Sequence, residues 1–301
     1  GSGGGMFGAF VSHRLWSDSG CTTTCITNSI ANYVAFGEQI GFPFKSAQVF
    51  IAGPRKAVIN IQEDDKVELL KMIVKHNLWV VAHGTYLDVP WSRRSAFVTH
   101  FIQQELLICK EVGIKGLVLH LGAVEPELIV EGLKKIKPVE GVVIYLETPH
   151  NKHHTYKYST MEQIKELFLR IRNTRLKQIG LCIDTAHIWS SGVNISSYND
   201  AGQWLRSLEN IHSVIPPSHI MFHLNDAATE CGSGIDRHAS LFEGMIWKSY
   251  SHKIKQSGLY CFVEYITRHQ CPAILERNLG SSMQLQTALT AEFTTLKSLL
   301  K

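Results

Sequence analysis

No apolar run in the sequence approaches the ~20 residues needed to span a bilayer, and no charged-then-apolar leader is present, so an intracellular protein without a membrane partner is expected. No Pro/Gly/Ser-rich linker or shift in composition divides the chain. One domain over residues 6–301 is therefore expected, with Gly1–Gly5 (GSGGG) read as the remnant of a tag. Cysteine is scarce and scattered: seven residues, an odd number, form no disulfide framework. Cys21 and Cys25 are the only close pair, and no second pair completes a zinc finger. Their spacing leaves a local disulfide open, although free thiols are the default in a reducing compartment. Charge of one sign is also lacking, since a net +4 permits a polyanionic partner without demanding one. What is plentiful is apolar residue, at 45% against 19% charged, enough for a sizeable core.

That apolar material falls into eight short runs: 7–11, 47–51, 78–82, 117–121, 142–146, 180–183, 220–224 and 273–275. Each is rich in β-branched residues and lacks clean alternation, as strands covered on both faces do. Segments of helical period, such as 67–76, 96–112, 161–173 and 201–214, lie between them. Strand–helix alternation repeated eight times predicts an α/β fold, a single-domain (β/α)8 TIM barrel. Leu259–Thr267 could be a strand but is assigned to a helix, because a parallel strand at 273–275 needs a crossover before it.

In such barrels the reactive side chains sit at the C-terminal ends of the strands. Here the third run ends in His83, the fourth in His120 and the fifth in Glu147; Asp184, His223 and Glu276 follow the sixth, seventh and eighth. A lone histidine at a strand end is ordinarily structural. Six such groups on one rim are hard to bury without metal, because unpaired polar groups cost several kcal/mol each. His187 lies three residues after Asp184, and Asp236 and His238 lie two apart in a polar loop, facing the same way if that loop is extended. Nine imidazole and carboxylate donors exceed the three or four that one zinc takes. Two or three ions with a bridging carboxylate are implied, an arrangement suited to displacement at phosphorus.

The segments 180–192 (GLCIDTAHIWSSG) and 223–244 (HLNDAATECGSGIDRHASLFEG), with LHLG, LET and the final ILE, resemble the signature blocks of the endonuclease IV family. Those are zinc-dependent apurinic/apyrimidinic (AP) endonucleases on a (β/α)8 barrel, and the resemblance covers almost the whole chain. It implies three Zn2+ ions: one on His83, His120 and Glu147, a second on Glu147, Asp184, His223 and Glu276, and a third on His187, Asp236 and His238. Glu147, Glu276 and Asp184 are then the catalytic carboxylates. The implied reaction is hydrolysis 5′ to abasic sites in double-stranded DNA during base excision repair, by a monomer. Trimming of blocked 3′ ends, 3′-phosphatase and 3′→5′ exonuclease activities are implied beside it.

Arg55, Tyr86 and Leu87 match side chains that the family inserts into bent DNA, and Lys56, Arg93, Arg94 and Lys152 are candidate phosphate contacts. Two departures stand out. Phe10 occupies a position where the family carries histidine, with His13 nearby, and the loop after Glu147 (TPHNKHHTYKYS) holds His150, His153 and His154 in place of a glycine-rich segment. Those histidines could in principle ligate metal, but they are expected to face phosphate or solvent. Two rivals remain: a sugar isomerase or epimerase on a related barrel, and a metal-stapled DNA-binding module. The first needs no third site, and the second would close its metal positions with four protein ligands.

Overall fold

The structure, a computed structural model, describes residues 6–86, 90–91 and 95–301. Its strands are β1 (Met6–Phe10), β2 (Ser46–Val49), β3 (Trp79–His83), β4 (Gly116–His120), β5 (Val143–Glu147), β6 (Ile179–Asp184), β7 (Ile220–His223), β8 (Asp226–Ala227), β9 (His238–Ala239) and β10 (Pro272–Leu275). All but β8 and β9 close into one parallel barrel, in which β1 pairs with both β2 and β10. Each of the eight apolar runs supplies one barrel strand. The helices are α1 (His13–Trp16), α2 (Cys25–Gln39), α3 (Glu63–His76), α4 (Ser95–Val112), α5 (Pro126–Lys134) and α6 (Met161–Asn173). They continue with α7 (Thr185–Ser190), α8 (Tyr198–Glu209), α9 (Gly258–His269) and α10 (Ser282–Leu299). Residues 259–267 thus lie within a helix, as the crossover requires. No helix among the described residues is long and apolar enough to cross a membrane.

Local chemistry sets the helix ends. Ser197, Ser257 and Ser281 begin α8, α9 and α10, each accepting a hydrogen bond from the amide three residues on. Three acids open α3, and Asn77 ends it in the left-handed conformation at φ 47°. α2 lacks a cap of its own. Buried Asp65 of α3 supplies one, its two oxygens accepting from the amides of Ile26 and Thr27 at 2.9 Å each.

The core has two layers. One fills the space between strands and helices; the other plugs the barrel and consists of Val81, Val118, Tyr145, Cys182, Met221 and Ile274, all buried. Side chains two apart on a strand share a face. The residues two positions beyond these plugs are His83, His120, Glu147, Asp184, His223 and Glu276. The inward phase that packs the barrel floor therefore aims all six candidate ligands at its mouth.

Behind β10, Arg277 and Glu292 of α10 form a buried ion pair, with Nη2 2.6 Å from Oε1 and Nε 3.0 Å from both oxygens. Arg277 Nη1 also donates to Asn225 Oδ1 at 2.6 Å. Removing one partner of a buried pair strands the other and costs about 3–5 kcal/mol. Glu292→Ala is expected to lose that much in chemical denaturation; a loss under about 1 kcal/mol would show that the guanidinium finds other compensation.

Candidate metal centre

The barrel's register brings the ligands together. His120 lies beside Glu147, and Asp184 beside His223, as direct partners on adjacent strands. Glu147 is central. Its Oε1 faces His83 Nε2 at 3.3 Å and His120 Nε2 at 3.0 Å, while Oε2 faces His223 Nδ1 at 2.7 Å. His223 Nδ1 is also 3.2 Å from Glu276 Oε1 and 3.7 Å from Asp184 Oδ2.

Asp184 divides its two oxygens. Oδ1 caps α7 by accepting from the His187 amide at 3.1 Å, which fixes the direction of that histidine. Oδ2 lies 3.5 Å from His187 Nε2 and from His238 Nε2. Asp236 Oδ1 stands 3.0 and 3.1 Å from the same two nitrogens. His238 arrives there because β8 and β9 form a small antiparallel hairpin, pairing Ala227 with His238. Asp226, a polar neighbour in the same segment, does different work. Its carboxylate accepts from the amides of Ala227, Phe242 and Ile246 and belongs to no metal-capable group among the described residues.

Donor atoms thus converge in contiguous groups: His83, His120 and Glu147; Glu147, Asp184, His223 and Glu276; Asp184, His187 and His238, with Asp236 against the last two. Three histidines turn their outer ring nitrogen onto an oxygen acceptor: His83 Nδ1 onto Gly84 O (2.7 Å), His187 Nδ1 onto Thr148 O (2.7 Å) and His223 Nε2 onto Gln48 Oε1 (2.6 Å). The acceptor takes the outer N–H and leaves the inner nitrogen facing the centre, able to give its lone pair to an ion that displaces its proton, the arrangement of metal-binding imidazoles.

Burial pushes the Glu147 carboxyl up, yet the His223 and His120 rings beside it draw it well below the ordinary carboxylate range. Asp184 and Asp236 are likewise lowered despite burial, by the His187 and His238 rings. Burial resists charge on His187, but Asp184, Asp236 and Glu147 push it up to about 10. Ionised carboxylates held this close are balanced only by protons on imidazole, and a divalent cation can replace those protons. The donors fit such an ion. His238 Nε2 is buried and makes no hydrogen bond even though Asp236 Oδ1 is 3.1 Å away. Proximity without hydrogen-bond alignment is what two donors to one ion would show. Cys182 Sγ also lies near Glu147 and His223, but burial pushes its thiol up to about 12, and it packs the barrel as a neutral group.

Two positioning residues are absent from the candidates read in the sequence. Gln48 accepts from His223 and donates to Glu276 Oε2 at 2.9 Å. Asn225 donates to Asp184 Oδ2 (3.3 Å) and Glu276 Oε1 (3.2 Å). Gln48 continues on β2 the inward phase of the ligands, a signal present in the sequence once that phase is known.

The centre opens into a cleft of about 790 Å3 lined by Arg55, Tyr86, Asp236, His238 and Glu276. Arg55 is exposed on a tight hairpin in which Gly53, at φ +50°, leaves no room for a Cβ. The Tyr86 amide donates to the Pro54 carbonyl at 2.9 Å, tying this hairpin to the loop after β3, and the Tyr86 ring stacks on His120. Leu87, Arg93 and Arg94 lie outside the described residues. Phe10 packs edge-on against Phe50, and His13 lines the cleft without joining any metal-capable group among the described residues. His153 and His154 are exposed. All seven cysteines, Cys21 and Cys25 among them, stand as free thiols, and burial together with the neighbouring Cys21 thiol pushes Cys25 up to about 11.

A barrel with its polar donors gathered at the C-terminal mouth defines a class, and the comparisons agree. The chain belongs to the xylose isomerase-like TIM barrel family, whose model matches residues 34–288. Within that family it belongs with the endonuclease IV proteins. It is 96% identical over 296 residues to a probable AP endonuclease of African swine fever virus (isolate Tick/Malawi/Lil 20-1/1983), covering 98% of this chain and 100% of that one. A putative endonuclease 4 of Acanthamoeba polyphaga mimivirus is 24% identical, with 84% of this chain and 85% of that protein covered. The crystal structure of endonuclease IV from Thermus thermophilus superposes with a TM-score of 0.73 at 18% identity, over 98% of both chains.

Gln48→Leu tests the support of the centre without replacing a ligand. Loss of such an outer partner typically costs 10–100-fold in metal affinity. The variant is expected to release metal to a chelator at correspondingly lower concentration with its fold intact by circular dichroism, and unchanged retention would remove Gln48 from the positioning set.

Proposed function

We propose that this protein is a zinc-dependent AP endonuclease that hydrolyses the phosphodiester 5′ to abasic sites in double-stranded DNA. Repair of blocked 3′ ends, 3′-phosphatase and 3′→5′ exonuclease activities belong to the same proposal. One observation carries it: three contiguous donor groups, joined through Glu147 and Asp184, open into the cleft that presents Arg55 and Tyr86. Mixed imidazole and carboxylate donors suit zinc. In this reading His83, His120 and Glu147 hold one ion, Glu147, Asp184, His223 and Glu276 a second, and His187, Asp236 and His238 a third.

Clustered divalent ions supply a water nucleophile at neutral pH and offset charge on the phosphate. The chain's own residues do the rest. Glu147 commits one oxygen to each side and keeps the first two groups in register. Asp184 and Glu276 complete the negative wall opposite His223, with Gln48 and Asn225 fixing their angles. Asp236 and His238 stand at the cleft edge, where the departing oxygen would lie. Arg55 and Tyr86 project from hydrogen-bonded loops and are placed to enter a gap in bent DNA; exposed Lys56 and Lys152 are suited to phosphate contact. A sugar isomerase needs one or two ions, and the Asp236-Arg237-His238 group favours the nuclease reading over it.

Elemental analysis of active protein is expected to find close to three zinc ions per chain, with nicking of an abasic duplex and no turnover of aldoses. Glu147→Gln should bring nicking to near background. His187→Asn, which replaces a donor of the third ion only, should cost on the order of a hundred- to a thousandfold. Aldose turnover without nicking would overturn the proposal in favour of the isomerase.

Recognition is tested separately. Alanine at Arg55 and at Tyr86 should each weaken abasic-duplex binding roughly tenfold, as loss of one stacking or insertion contact does, while metal content stays unchanged. Binding that is unaltered in the double variant would rule out the wedge.

A further inference from the structure

The loop between β5 and α6 runs across the edge of the third donor group, and its first residues are held from two sides. Ser191 Oγ accepts from the Asn151 amide and donates to the Pro149 carbonyl, both at 2.9 Å. On the other side the loop packs on Gly234, where an added Cβ would come within 2.6 Å of Lys152 Cβ. His150 stands between these supports, and its Nδ1 faces the Gly234 carbonyl at 3.3 Å. A carbonyl only accepts, so Nδ1 carries the proton and Nε2 keeps its lone pair.

That lone pair has somewhere to go. His150 Nε2 is 3.7 Å from Asp236 Oδ2, and the His150 ring centroid is 5.0 Å from that of His187. One donor atom from each of His150, His187 and Asp236 lies within 4.8 Å of the others. The 3.7 Å separation is too long for a hydrogen bond. It is close to the ~3.3 Å between two donors on a tetrahedral ion with bonds of about 2.0–2.1 Å. His83 and His187 show the same disposition, outer nitrogen on a main-chain carbonyl and inner nitrogen on the centre.

We infer that His150 is a fourth protein donor to the third metal position, beside His187, Asp236 and His238. This rests on the three-ion reading above. The His150 side chain is 40% exposed and carried on a loop, against 4% for His187 on its capped helix. It is the donor that can leave: it closes the position at rest and yields it to a phosphate oxygen of the substrate. Four protein donors otherwise make a structural site, and a catalytic one needs a vacancy.

The test follows metal rather than turnover. Zinc-loaded full-length protein, His150→Ala, His153→Ala and His187→Ala are titrated with a chelator, and metal per chain is read by elemental mass spectrometry. In His150→Ala the third ion should be lost at roughly tenfold lower chelator concentration. His153→Ala should match the unmodified protein, and His187→Ala should lack that ion from the start. Retention of the third ion by His150→Ala as tight as in the unmodified protein overturns the inference, as does equal weakening in His153→Ala. Unmodified protein holding fewer than three ions overturns the three-ion reading itself, a result seen before any variant is compared. With cobalt replacing zinc, the visible absorption of one ion should change between the unmodified protein and His150→Ala; identical spectra count against the assignment.

Discussion

The barrel mouth gathers more negative charge than a low-dielectric site can hold uncompensated. Glu147, Asp184 and Glu276 bring oxygens within 4.8 Å of one another, Asp236 stands against His187 and His238 beside them, and Glu147 and Asp184 are buried almost completely. Repulsion among like charges at such separations amounts to several kcal/mol even with generous screening. The imidazoles of His187, His223 and His238, whose charged forms these carboxylates favour, are the counter-charge the chain itself provides. That balance decides the rest: the tautomers of His83, His187 and His223, the buried amides of Gln48 and Asn225, and the guanidinium of Arg277 behind them. Every one of these groups either neutralises a carboxylate or holds one at a fixed angle.

Much of this is legible in the sequence, for a simple reason. Strands covered on both faces must be apolar along their length, so a histidine or carboxylate ending such a run has only the barrel mouth to enter. That logic finds His83, His120, Glu147, Asp184, His223 and Glu276 without reference to any relative. Asp236 and His238 follow less directly, because a loop places them, and only the β8–β9 hairpin brings them back over the rim. Gln48 and Asn225 escape because a neutral amide carries no sign of its own; its role exists only once the strands beside it are in register. In the sequence His150 is one of three loop histidines with His153 and His154, and only the contacts of Ser191 and Gly234 separate it from the other two.

Asp184 shows how local and long-range demands meet. As the first residue before a helix it belongs to the family of helix-starting side chains, and one of its oxygens does that work on the His187 amide. Its other oxygen looks into the centre. A short capping motif therefore fixes the spacing of two donors locally, and the Asp-Thr-Ala-His order follows from helix geometry. Cys21 and Cys25, by contrast, are close in sequence and neighbours in space, and no such motif fixes their geometry.

The pairing of β1 with β10 has a consequence for the order in which the molecule is made. Domains are synthesised from the N-terminus at a few residues per second and begin to fold as they emerge. Here the first strand waits for the last, and Glu276, Arg277 and Glu292 all belong to the final strand–helix unit of the barrel. Until that unit leaves the ribosome, β1 offers an open sheet edge, and His223 and Asn225 lack Glu276, their carboxylate partner on that unit. A translation product stalled short of β10 would expose that edge and leave the donor group of Glu147, Asp184 and His223 without its fourth member.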